Sequence, residues 1–215
     1  MTKKLLPAGV FTLLFYVFPL LPRTELLFTP QMLYLILMCG ILFGTQPPLT
    51  VEESRTNRHR DKHSVWVIMG SVALIQVTVV VEWAYFREAF HPFRMDALTL
   101  TGLLLTGGGT LFRIWCIRTL GTSFTTTVRT QAQQRIVTSG AYRYIRHPSY
   151  LGAYLAIVGS ACFLHAYTAL LLAGSLILVA YAYRMKFEEI ALVEDFGDAY
   201  RDYQRTTKKL LPLIY

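Results

Sequence analysis

From Tyr150 to Tyr183 the chain runs for 34 residues without one Asp, Glu, Lys or Arg. A run of that kind belongs in hydrocarbon, where every backbone N–H and C=O must be satisfied within helices or a closed barrel. As a single helix it would rise about 51 Å, against a hydrocarbon core of about 30 Å. The length therefore predicts a tight helical hairpin turning near His165, with arms at 149–164 and 166–183. On this reading His165 is a turn residue rather than a ligand.

Four further apolar stretches precede the hairpin, near 5–21, 31–46, 65–85 and 97–117. The stretch 31–46 is short, and Pro30, Pro47 and Pro48 limit its extension. The first stretch comes after Lys3 and Lys4, as the apolar part of a signal peptide would. It ends in Pro22-Arg23-Thr24-Glu25 rather than in a small-residue cleavage site, so it reads as a retained span. Hydrophobic residues make up 53% of the 215 residues and mean hydropathy is +0.40, above the ~45–50% apolar share usual in soluble domains. The expected fold class is all-α, a polytopic transmembrane helical bundle of five to six spans.

The net charge of +8 raises the question of nucleic acid, and its distribution answers it. With six spans, seventeen of the 21 cations fall on one side: Lys3 and Lys4, the loop with Arg55 to Lys62, the loop from Arg118 to Arg146, and the tail from Arg184 to Lys209. Arg23, Arg87 and Arg94 fall on the other side, and Arg113 lies within a span. This is the asymmetry of the positive-inside rule with both termini cytoplasmic. The basic excess is topology, and no nucleic-acid partner is expected.

Cys39, Cys116 and Cys162 are isolated in apolar stretches, which gives neither a disulfide framework nor a metal-ligand spacing. No metal is expected. The stretch from Gln46 to Ser64 reads as a solvated connector. Gly107-Gly108-Gly109 inside the fourth span has two readings: small residues that let helices approach closely, or room for a flat cofactor. No Lys-Ser/Thr follows and no strand precedes it, so a phosphate loop is excluded.

Polar residues return in two clusters bracketing the hairpin. The first is Ser139-Gly140-Ala141-Tyr142-Arg143-Tyr144-Ile145-Arg146-His147-Pro148-Ser149-Tyr150, and the second is Arg184-Met185-Lys186-Phe187-Glu188-Glu189. Ionisable groups at a membrane boundary are costly to desolvate and mark functional sites. Gly140 supplies a bend, and His147-Pro148 reads as a helix start because proline suits the first helical position. Amides of that first turn, near Ser149 and Tyr150, can bind a carboxylate or another anion. Arg184 and Glu188 are four apart and share a helix face. A surface ion pair would explain them equally, were they not at the end of the hairpin that His147 begins.

These residues carry a family resemblance. The run Val137 to Tyr142, then Arg146 to Gly152, then Arg184 with Glu188 to Leu192, then Phe196 to Tyr203 resembles the isoprenylcysteine carboxyl methyltransferase family; Thr119 to Phe124 also fits. The likeness covers about Thr106 to Pro212. Its Arg-His-Pro and paired-Glu pattern is shared with phospholipid N-methyltransferases and other integral-membrane methyltransferases. The resemblance divides the chain into 1–96, N-terminal transmembrane helices and connector, and 97–215, a methyltransferase core with cofactor loop, hairpin and tail.

It implies a helical membrane enzyme that uses S-adenosylmethionine at a C-terminal cytoplasmic site without a Rossmann domain. Positions matching Gln134, Arg135, Ile136 and Val137 wrap the cofactor. Those matching Tyr142, His147, Pro148, Ser149 and Tyr150 contact it, and Glu188, with Glu189, binds its amino-acid end. Arg184 faces the carboxylate to be methylated. Gln134 departs from the histidine common in eukaryotic members, although an amide still donates and accepts hydrogen bonds. The implied reaction is methylation of the carboxylate of a prenylated cysteine or related lipophilic acid entering from the bilayer. The alternative is another lipophilic acceptor, such as a phospholipid amine, a thiol or a small isoprenoid. A non-catalytic scaffold or a nicotinamide-dependent reductase is a third reading. The implied location is the endoplasmic reticulum in a eukaryote or the cytoplasmic membrane in a prokaryote.

Overall fold

The computed structural model describes residues 9–45, 63–87, 93–121 and 136–210, and every described element is helical apart from one isolated β-bridge. Six apolar helices appear among the described residues. Gly9–Phe28 (α1), Ser64–Arg87 (α3), Ala97–Leu120 (α4) and Tyr167–Phe196 (α6) are long and apolar enough to cross a membrane. Pro30–Gly44 (α2) and Pro148–Phe163 (α5) are apolar but shorter, at 15 and 16 residues. A polar helix, Asp198–Thr206 (α7), closes the described fold.

Local chemistry sets these boundaries. In α1 the helix breaks at Arg23 (φ −137°, ψ 54°), directly after Pro22, whose ring clashes with the preceding turn. Asp96 caps α4 by accepting from the Thr99 amide at 2.8 Å. Gly197, at φ 57°, ends α6 in a conformation disfavoured for residues with a Cβ.

The hairpin forms as the sequence predicts. Between α5 and α6 lie only Leu164, His165 and Ala166, with His165 at φ 53°. Its Nε2 lies 3.0 Å from Thr99 Oγ1 and 3.3 Å from Asp96 Oδ1. At this end Glu82 of α3 accepts from the Thr168 and Ala169 amides at 2.9 and 3.2 Å, so a buried carboxylate caps the first turn of α6. The outgoing arm is longer than its apolar stretch: α6 has 30 residues, about 45 Å at 1.5 Å rise. Its last part lifts Arg184, Glu188 and Glu189 out of the apolar region.

Among the described helices, α4 and α5 make the most extensive contact. A Cβ at Gly102 would come within 2.2 Å of the Phe163 nitrogen, one at Gly159 within 2.4 Å of the Thr106 nitrogen, and one at Gly109 within 2.6 Å of the Gly152 carbonyl. Of the Gly107-Gly108-Gly109 triplet, Gly109 serves this approach, Gly107 faces the Tyr34 hydroxyl and Gly108 opens onto free space. Close helix packing therefore accounts for Gly109 of the triplet. Buried side chains from α1, α2, α3, α5 and α6 form one core that crosses the division at residues 96 and 97. Leu171, Val179, Leu111 and Leu104 stay exposed on the outer surface, as lipid-facing side chains do. Cys39, Cys116 and Cys162 are buried free thiols.

Candidate active site

The two polar clusters meet. After Gly140 (φ 59°) the chain makes one short 3-10 turn, Gly140–Arg143, and then pairs in parallel with the segment after α7. The Arg146 amide donates to the Lys208 carbonyl at 2.8 Å, the His147 amide to the Lys209 carbonyl at 3.1 Å, and the Lys208 amide to the Tyr144 carbonyl at 2.9 Å. The Tyr203 hydroxyl adds a bond to the Tyr142 carbonyl at 2.6 Å. Burial pushes the Tyr203 phenol up to about 12, against the pull of Arg146. The tail is thus stitched across the loop that leads into α5.

Helix α5 starts at Pro148, as expected. The His147 carbonyl accepts from the Tyr150 amide at 3.2 Å, so that amide is engaged within the first turn rather than open to an anion. Arg146 donates through Nε to Glu189 at 2.7 Å, and through Nη1 to the Gln204 and Thr207 carbonyls at 3.1 and 2.5 Å. His147 Nε2 lies 3.2 Å from the same Glu189 oxygen, and Lys209 Nζ lies 3.6 Å from the other. Glu189 is therefore surrounded by three basic side chains, at 13% exposure. It fastens the end of α6 to both the start of α5 and the tail.

Its neighbour is held differently. Glu188 is 31% exposed; it accepts from the Tyr150 hydroxyl at 2.9 Å and lies 3.9 Å from Arg184 Nε. Arg184 is buried at 3% exposure. Its Nε donates to the Tyr150 hydroxyl at 3.3 Å and its Nη1 to Ser64 Oγ of α3 at 2.9 Å. The Tyr150 ring lies against Tyr181, with centroids 5.0 Å apart. Tyr142 is buried, its hydroxyl has no hydrogen-bond partner, and burial first, then the thiol of Cys116, drives its phenol far above the ordinary range.

The fold thus brings together Tyr142, His147, Pro148, Ser149, Tyr150, Arg184, Glu188 and Glu189 from the two polar clusters. Ile136 and Val137 are half-buried and precede the turn at Gly140. Gln134 and Arg135 lie outside the described residues. Two participants escaped the sequence reading. Ser64 carries no signal at all. Arg113 does, being a guanidinium within a span; it donates through Nη1 to the Ser149 carbonyl at 2.8 Å.

An all-helical, multi-span membrane protein with ionic clusters gathered at one end of a short hairpin is the class that fold and site define. Residues 100–194 match the model of the isoprenylcysteine carboxyl methyltransferase (ICMT) family, and the resemblance seen in the sequence holds on that segment. Curated relatives are protein-S-isoprenylcysteine O-methyltransferases. The one from Schizosaccharomyces pombe is 35% identical over 37% of this chain and 34% of its own length. Those from Mus musculus and Homo sapiens are each 32% identical over 54% of this chain and 42% of theirs. The chain spans less than half the length of these relatives. Among solved structures, the eukaryotic intramembrane Ras methyltransferase ICMT shares the fold, with TM-score 0.55 and 20% identity, over 96% of this chain and 75% of that one.

Proposed function

We propose that the protein is an S-adenosylmethionine-dependent methyltransferase that esterifies the carboxylate of a prenylated cysteine or a related lipophilic acid at its cytoplasmic face. The observation that carries this is the meeting of Arg184 and Glu188 with the start of α5, 3.9 Å from each other and bridged by the Tyr150 hydroxyl. The donor set fits the cofactor: Glu188, 31% exposed, keeps acceptor capacity for an ammonium.

Bound S-adenosylmethionine supplies a methyl group on a sulfonium. Transfer forms one C–O bond and breaks one C–S bond, whose electron pair stays on sulfur, and no proton moves. A carboxylate is already ionised near pH 7, so the residues need no general base. Their task is alignment and exclusion of water. Glu188 would hold the amino-acid end of the donor, with Tyr142 and the His147–Tyr150 turn beside it. Glu189 acts at one remove, by fixing Arg146 and His147. Arg184, buried and oriented by Tyr150 and Ser64, directs its guanidinium toward the acceptor carboxylate. The acceptor's tail lies among the spans, reached from the bilayer.

Two measurements on purified protein test the reading. S-adenosylhomocysteine binds in calorimetry and NADPH does not, and label from S-adenosylmethionine passes to a farnesylcysteine analogue. Binding of NADPH alone would favour a reductase.

A further inference from the structure

At the other end of the hairpin, separated from His147 by the 16 residues of α5 or about 24 Å, a second group of basic side chains gathers. It borders a cavity of about 220 Å³ between the end of α3, the residues leading into α4 and the α5–α6 turn. Trp83, Phe93 and Tyr167 supply apolar wall, while Arg87, Arg94 and His165 supply nitrogen. Phe93 packs edge-on against Phe163, with centroids 5.9 Å apart. Phe93, Arg94 and Tyr167 are exposed, so the cavity reaches the surface. Aromatic rings with this placement, at the ends of apolar spans, mark the level of lipid headgroups.

Two carboxylates stand nearby. Asp96 Oδ1 accepts from the Thr99 amide at 2.8 Å and lies 3.3 Å from His165 Nε2, so Asp96 meets these groups rather than either arginine. Glu82 Oε2 accepts from the Thr168 and Ala169 amides, which leaves Oε1 for Arg87 Nη2 at 3.5 Å. Arg87 is steadied further by Tyr167, its guanidinium carbon 4.6 Å from the ring centroid, and keeps 31% exposure. Arg94 is exposed and, among the described residues, its guanidinium makes no ion pair. Two guanidiniums thus line one cavity, one held in place by a ring and a carboxylate, the other free to close on a ligand. Guanidinium forks match the oxygens of a phosphate with parallel charged hydrogen bonds. Basic pockets between spans are a recurrent form of headgroup recognition.

We propose that this cavity binds the headgroup of a phospholipid, with Arg87 and Arg94 taking the phosphodiester oxygens. Apolar surface for the acyl chains is at hand, since Leu100 and Leu171 are exposed one turn beyond Asp96 and Tyr167. A lipid held there links the end of α3 and the approach to α4 with the hairpin turn. The assignment stands apart from the methyl-transfer reading, which concerns the opposite end of the hairpin. A purely structural cluster would tie α3 to α6 through Glu82 and would have no use for Arg94.

The test follows thermal unfolding of the full chain, delipidated in dodecyl maltoside, with dihexanoyl phosphatidylglycerol as the probe. At about 100 times its Kd the lipid is expected to raise the melting temperature by about 5 °C or more. Dihexanoylglycerol, which lacks the phosphate, leaves it unchanged, and inorganic phosphate at the same concentration gives a much smaller shift. Arg94→Gln alters an exposed side chain, so without lipid it melts with the wild type; with lipid it loses most of the shift. A full lipid shift in Arg94→Gln, or an equal one from dihexanoylglycerol, would overturn the site. An equal shift from inorganic phosphate would overturn the lipid as its occupant and assign the cavity to free anions.

Discussion

Arg146 and Glu189, 43 residues apart in sequence, meet at 2.7 Å with side chains 11% and 13% exposed. That pair joins the residue entering α5 to the far end of α6, so the two ends of the hairpin region are locked to each other. Removing Arg146 leaves Glu189 with His147 and Lys209 and takes the donor from the Gln204 and Thr207 carbonyls. Arg146→Met is therefore expected to destabilise by about 1–3 kcal/mol, as for a lost hydrogen bond to a charged group. Thermal unfolding in detergent, with S-adenosylhomocysteine absent, reads this without reference to catalysis. A melting temperature within a degree of wild type would contradict it.

The glycine zipper makes a sharper structural prediction. Gly159→Leu drives a side chain into the backbone of Thr106, where even a Cβ would sit at 2.4 Å. Overpacking of this sort costs about 1–3 kcal/mol or more, so poor yield and early unfolding are expected. Gly108→Ala, facing open space, is the matched control and is expected to stay within about 0.5 kcal/mol of wild type. Equal behaviour of the two variants would mean that α4 and α5 do not pack as described.

Sidedness follows from the cation asymmetry. Single cysteines at Ser139 and Arg205 are expected to label from the same face, and one at Met95, exposed before α4, from the opposite face. The native thiols are buried and give low background. Labelling of Ser139 and Arg205 from different faces would break the cytoplasmic assignment of the site.

Glu188→Gln tests the cofactor end. The carboxylate becomes a neutral amide, so a partner ammonium loses a charged hydrogen bond contributing roughly 1.5–3 kcal/mol. Affinity for S-adenosylhomocysteine is expected to fall about tenfold or more. Unchanged affinity in a folded variant would remove Glu188 from the cofactor's contacts.

Much of this was legible in the chain because membrane constraints are coarse and strong. Thirty-four residues without fixed charge had to fold back, and they do so at His165. Pro148 starts a helix because proline costs nothing at that position. Other features depend on partners that sequence order does not reveal. The pairing of Tyr144–His147 with Thr207–Lys209 joins segments some 60 residues apart, and nothing in either announces the other. Glu188 and Glu189 look equivalent as neighbours, yet a step of one residue turns them about 100° around the helix. One meets Tyr150 and Arg184, and the other Arg146, His147 and Lys209. Arg113 was visible only as a charge within a span; that its Nε is unpartnered needs the packed helices.

Carboxyl methylation is tested most directly by the chemistry of the product. Purified protein, methyl-labelled S-adenosylmethionine and a farnesylcysteine analogue are incubated, and the lipid extract is treated with mild base. An ester releases the label as volatile methanol, whereas a methylated amine or thioether retains it. The arrangement of Arg184, Glu188 and Tyr150 predicts that nearly all transferred label is base-labile. It also predicts that Arg184→Lys, which offers a point charge in place of a planar fork, lowers transfer on the order of 100-fold with cofactor affinity preserved. Label that survives base, or full turnover in the lysine variant, would contradict the assignment of that site to a carboxylate.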